Sequence, residues 1–187
     1  MSYTRYNIRV RTYTAGIMPQ QPGSATVIVS ILTADEFPDD PEAWPNLTGP
    51  PAFGRLAYGD DRSELAEPAP PGGAFWLGRA MRDDTKAPPN EFGAVLAVGQ
   101  EPLRGYESEF ADWMDTEHIP ALSSVDGTLW AARFEAITGS PRYCNIFYLT
   151  DAGVCSSDAW RKAGMTPWRD RLFNYTHNRI RWLFQPA

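Results

Sequence analysis

The chain has 187 residues, 43% hydrophobic and 13% aromatic, which is enough for one domain with a sizeable core but cramped for two. A formal net charge of −6 argues against general affinity for nucleic acid or anionic lipid, since both need clustered cations to displace counterions. No apolar run reaches the roughly 20 residues that span a bilayer, MSYTRYNIRV lacks a signal-peptide core, and Cys144 and Cys155 fit no disulfide framework, so a cytoplasmic protein with free thiols is expected.

In chain order, YNIRVRTY at 6–13 and ATVIVSIL at 25–32 read as strands joined by a loop containing PQQPG. Ten of the seventeen prolines then fall between Pro38 and Pro89, which rules out regular helix across that stretch. Within it AFWLGRAM at 74–81 reads as a further strand. Residues 1–91 are therefore expected to form an extension of short strands and proline-rich loops packed on residues 92–187. No internal repeat is evident in the sequence.

From residue 92 the pattern is regular. FGAVLAVGQ at 92–100 is a short apolar run bounded by turn signals. Tyr106, Phe110, Trp113, Met114 and His118 then recur at three- and four-residue spacing along one helix face, with Ser108, Asp112, Asp115 and Thr116 mainly on the other. Pro120 discourages continuation and places His118 at or near the helix C-terminus. There the dipole favours a protonated imidazole and burial a neutral one.

After the SSVDG turn, residues 128–137 alternate, with Trp130, Ala132, Phe134 and Ala136 on one side and Leu129, Ala131, Arg133, Glu135 and Ile137 on the other. Residues 143–150 form the returning strand, placing Tyr143, Asn145 and Phe147 together on one face. Ser156 or Ser157 can cap a helix through Gly164, and Thr166-Pro167 starts another through about Tyr175. NRIRWLF at 178–184 is the last strand. Strand, helix, strand, strand, helix, strand is the order of a ferredoxin-like α+β unit with an antiparallel sheet. Both sheet faces are apolar, so a second sheet must cover one of them, supplied by a second copy in a homodimer or by the N-terminal segment.

EFADWMDTEHIPALSSVDGTLWAARFEAITGSPRYCNIFYLTD, followed by DAWRKAGMTPWRDRLFNYTHNRIRW, resembles the dimeric α/β-barrel superfamily over residues 92–187, particularly its EthD-like branch. There an acidic helix ending in a W-Y-D/N-x-E-H-like motif precedes a glycine turn and a hairpin. Met114 stands where that branch often has tyrosine, which removes a tyrosine-assisted mechanism from that position. The superfamily includes cofactor-independent polyketide cyclases, lactone isomerases, small monooxygenases and haem-linked enzymes, so the resemblance leaves the reaction open.

His118 has three readings, a core histidine with satisfied nitrogens, a general acid/base at a cavity between sheet and helices, or a metal or haem ligand; its match to the branch's motif position supports the second, and the third has only His177 as a further histidine. Trp113, Tyr143, Asn145 and Arg133 are the candidates for binding a flat ligand, with Arg133 pairing Glu135 or reaching a ligand carboxylate. His177 is expected to be exposed at the start of the last strand. No metal-ligand spacing and no nucleotide-binding fingerprint is present, so neither metal nor cofactor is expected. The expected function is a cofactor-independent cyclase, isomerase or lyase acting on a small aromatic or polyketide-like carbonyl compound. A non-catalytic ligand-binding protein and a cofactor-free monooxygenase are the alternatives.

Overall fold

Period-two alternation of apolar side chains builds most of the strands, and a computed structural model places them in a single sheet. It describes residues 27–35, 43–60, 65 and 72–186. The strands are β1 (Ile28–Ala34), β2 (Trp44–Pro45), β3 (Phe53–Gly59), β4 (Ala74–Ala80), β5 (Ala94–Pro102), β6 (Thr128–Thr138), β7 (Tyr143–Leu149) and β8 (Thr176–Phe184). Every pairing between them is antiparallel. The strand expected at 6–13 lies outside the described residues.

Strand order across the sheet is β2-β3-β1-β4-β6-β7-β5-β8. Its halves repeat one arrangement: β4-β1-β3-β2 runs fourth, first, third, second in chain order, and so does β8-β5-β7-β6. That is the ferredoxin-like order, present twice although no repeat is evident in the sequence. The halves join where β4 pairs β6, Gly78 opposite Ala136 and Ala80 opposite Phe134. The outer ends also meet, through a bridge between Asn46 and Phe184. Leu47 N–H donates to the Leu183 carbonyl at 2.7 Å and Gln185 N–H to that of Pro45 at 3.1 Å. Gly54 makes this contact possible, since a Cβ there would stand 2.3 Å from the Phe184 ring.

The curled sheet encloses Val29, Ile31, Trp76, Val95, Ala97, Phe134, Cys144, Ile146, Tyr148 and Phe184. These come from both halves, so the apolar inner face of β5–β8 is covered by strands of the same chain. The ground for expecting a second copy is therefore met internally. Burial pushes the Cys144 thiol up to about 12, which makes it an inert core residue.

Helices lie on the outer face of β5–β8: α1 (Glu107–Trp113), a π turn (Met114–His118), α2 (Ile119–Ser123), α3 (Asp158–Gly164) and α4 (Pro167–Phe173). Ser157 and Thr166 cap α3 and α4 as expected, accepting from the N–H groups of Trp160 and Arg169. The helix does not stop at His118, contrary to the sequence expectation. It widens for one turn, with Ile119 N–H donating to the Met114 carbonyl five residues back, and resumes through Pro120. Pro120 sits in the first turn of α2, directly after the wider turn and within a continuous helical run. Among the described residues, no helix is long and apolar enough to cross a membrane. The strand β3 was not expected, because Gly54 and Arg55 interrupt its apolar alternation inside the proline-rich stretch.

Candidate functional site

Sheet pairing brings two polar side chains into the apolar layer beneath the helices. Arg133 on β6 stands opposite Asn145 on β7, and both project toward the helical side, away from the barrel interior. They are 6% and 3% exposed, respectively. Phe110, Trp113, Met114 and Leu172 form the packing above them, with Tyr143 and Trp168 at its edge. Asn145 Nδ2 donates to Met114 Sδ at 3.5 Å, and the Tyr143 ring lies 5.8 Å from that of Phe110. Trp113, Tyr143, Arg133 and Asn145 thus gather under the turn that carries His118.

Arg133 is an unusual occupant of this layer. One guanidinium nitrogen, Nη1, donates to Asp115 on the π turn, whose side chain is 52% exposed. Nε and Nη2 are buried and have no hydrogen-bond partner among the described residues. Its guanidinium carbon lies 6.0 Å from the Phe110 ring centroid. Glu135, the other partner considered from the sequence, instead holds Arg79 and Arg142.

The His118 imidazole packs on the Trp113 indole, with ring centroids 4.4 Å apart. These residues are five apart in sequence, and the π turn aligns them. Its Nδ1 is buried without a hydrogen-bond partner. Burial pushes the imidazole down to about 4, and the positive charges of Arg169 and Arg133 act in the same direction against a smaller opposing effect from Glu117. Burial therefore prevails over the helix-end dipole, and the ring is neutral at pH 7. Glu117 is no solvated helix charge: it accepts from Trp113 Nε1 at 3.2 Å and from the Thr166 hydroxyl. His177, by contrast, is 52% exposed and lies 3.8 Å from Glu101.

Sequence reasoning places Glu117 at the edge of the His118 face and Asp115 away from it, favours both as solvated helix charges over orienting partners, and does not single out Arg169. Simple helical periodicity turns Asp115 outward, whereas widening the helix by one residue re-aims it at β6. The one available signal was the proline two residues after His118. The cavity expected beside His118 does not coincide with either of two hollows among the described residues. One, of about 330 Å³, lies between Thr33, Asp35, Pro50, Pro51, Gly72, Gly73, Ala74 and Trp182, and the smaller one lies around Arg79 and Glu135. The cluster at His118 is closed over by the π turn and α4.

No protein-family model and no curated protein matches the chain. Solved structures do. A major regulator of staphylococcal pathogenesis matches with a TM-score of 0.59 and 10% identity, covering 86% of this chain and 99% of that one. A proposed monooxygenase from Fusobacterium nucleatum matches at 0.55 and 9% identity, covering 86% and 91%. A ferredoxin-fold protein from Listeria monocytogenes, related to antibiotic-biosynthesis monooxygenases, matches at 0.50 and 14% identity, covering 87% and 96%. At these identities the likeness is one of fold, and it extends over both halves of the chain: a ferredoxin-like antiparallel α+β architecture.

Proposed function

We propose that the buried polar cluster beneath the π turn binds a small aromatic or polyketide-like carbonyl compound and that His118 removes a proton from it. One observation carries this reading: the unpaired Nε and Nη2 of buried Arg133 and the unpaired Nδ1 of His118 occur in the same helix-covered layer. An unsatisfied buried donor costs about 1–3 kcal/mol, so two polar groups left open together fit a site completed by a ligand. In this arrangement the carbonyl oxygen sits on Arg133, Asn145 orients it, and Trp113, Phe110 and Tyr143 pack the ring. A neutral imidazole can accept a proton. Negative charge developing on the oxygen beside Arg133 then offsets the guanidinium charge and makes the imidazolium less costly. Deprotonation next to a carbonyl is the step shared by cyclases, isomerases and lyases of this kind, and the His118 motif supports an EthD-like ancestry.

A cofactor-free monooxygenase is the second reading, favoured by the names of two of the similar structures. Here the same deprotonated substrate reacts with dioxygen. The test uses 2-tetralone, an enolisable aryl ketone, with hydrogen–deuterium exchange at its acidic carbon followed by NMR. His118→Gln is expected to slow exchange by roughly 10²–10⁴-fold. Equal exchange per folded molecule would exclude His118 as the base, and oxygen uptake alongside exchange would select the second reading.

A further inference from the structure

We infer that the site selects ligands bearing two adjacent oxygens, a carboxylate or a hydroxyl beside a carbonyl, through the buried, unpartnered Nε–Nη2 edge of Arg133. This deepens the reading of the cluster as a ligand site and rests on it. Nε and Nη2 form the side of a guanidinium whose two N–H bonds point in parallel, the edge that takes a carboxylate with two bonds. The same edge is in use elsewhere in this protein: Arg82 donates from Nε at 2.9 Å and Nη2 at 2.8 Å to the two oxygens of Asp84.

In Arg133 that edge is buried and unpartnered. Asp115 occupies Nη1, outside it. Asp115 is therefore a positioning residue that fixes the guanidinium while leaving its two-donor side open. A lysine in place of Arg133 would supply the same charge as a point, without paired donors. The neighbouring rings, Phe110, Trp113 and Tyr143, suit an aromatic frame carrying the two oxygens. Asn145, opposite Arg133, adds an amide on the same face.

The experiment compares three probes on the full chain: 3-hydroxy-2-naphthoate with adjacent oxygens, 2-naphthol with one oxygen, and naphthalene. Binding is followed by tryptophan fluorescence and by the His118 imidazole NMR signals, with His177→Ala used for assignment. The two-oxygen probe is expected to bind at least about tenfold more tightly than 2-naphthol, the difference one additional charge-assisted bond makes. In Arg133→Lys the ratio of the two affinities is expected to collapse to within about twofold. Equal affinities for the two probes in the unmodified protein, or a preference that survives in Arg133→Lys, would overturn the inference, as would failure of all three probes to bind. The comparison of probes in the unmodified protein holds even if the variant folds poorly. Absence of the preference in the unmodified protein, with His118-dependent exchange intact, removes this inference alone; a preference present without His118-dependent exchange removes only the proton-transfer reading.

Discussion

Arg133→Met is expected to make the protein more stable while abolishing ligand binding. The side chain of Arg133 is 5% exposed, and methionine fills similar volume with no polar atoms. Relieving two unpartnered buried donors is worth about 1–3 kcal/mol each. Against this stands the ion pair with Asp115, whose 52% exposure limits its worth to about 0–1 kcal/mol. The guanidinium also loses its 6.0 Å contact with Phe110, a further ~0.5 kcal/mol. The balance is a gain of about 0.5–5.5 kcal/mol, centred on the range of about 1–4 kcal/mol seen when buried ionic groups are replaced by well-packed apolar ones. For a chain of this length each kcal/mol moves Tm by about 2–4 °C. Scanning calorimetry at pH 7 should therefore show Tm rising by roughly 2–16 °C for a gain of about 1–4 kcal/mol, with the naphthoate probe no longer bound. A fall in Tm of more than a couple of degrees would refute the reasoning, because it would mean that the guanidinium holds the layer together rather than waiting for a ligand.

The pH dependence of stability should carry a signature of His118. Its folded-state value near 4 lies below the unfolded 6.5, so the unfolded chain binds the extra proton first and stability falls as pH drops from about 6.5 toward 4. Urea midpoints should show the unmodified protein losing on the order of 2–3 kcal/mol more than His118→Gln between pH 7 and pH 4.5; parallel losses would place the imidazole in solvent. Phe184→Ala empties the seat on Gly54 where the sheet's ends meet and should cost about 3–5 kcal/mol, measurable by denaturant unfolding. A cost under 1 kcal/mol would show that the ends are not joined in solution. Sedimentation at micromolar concentration should report a single-chain species, and a dimer would mean that some other surface pairs. Residues 1–91 expressed alone should give no cooperative thermal transition, since their strands complete a core whose other wall is β5–β8.

The second half was legible because each of its elements satisfies its own local rule. Residues 128–137 alternate, Ser157 and Thr166 occupy cap positions, and apolar runs bound the strands. In the first half β1 and β4 were legible in the same way, but β2 and β3 were not, for two physical reasons. β2 has only two residues, too short for any periodicity, and β3 places Gly54 where Phe184 needs room, which breaks the apolar pattern for the sake of a contact more than a hundred residues away. Site residues followed the same division. Trp113, Tyr143, Arg133, Asn145 and His118 could be selected by type and face, but the partners Asp115 and Glu117 could not. Their direction depends on the π turn, and a wider turn leaves the apolar stripe of Phe110, Trp113 and Met114 before it unchanged.

The repeated strand order also explains why the open arginine occurs where it does. β6, the second strand of its half, has eleven residues and carries Arg133 at its middle, facing Asn145 across the ladder. β2, the topological counterpart, ends after Pro45 and is too short to set an arginine opposite β3 at equivalent depth. Its main task is at the other end of the barrel: Asn46 Oδ1 accepts from Leu183 N–H, and its Nδ2 donates to the Gly49 and Pro51 carbonyls. The first half thus supplies Asn46 to the seam with β8, while the second both completes that seam and holds the buried polar cluster. With both halves in one chain, the two need not be identical, as the halves of a symmetric dimer must be. The desolvation cost of an unpaired Arg133 edge then arises once per barrel, offset by a core to which both halves contribute.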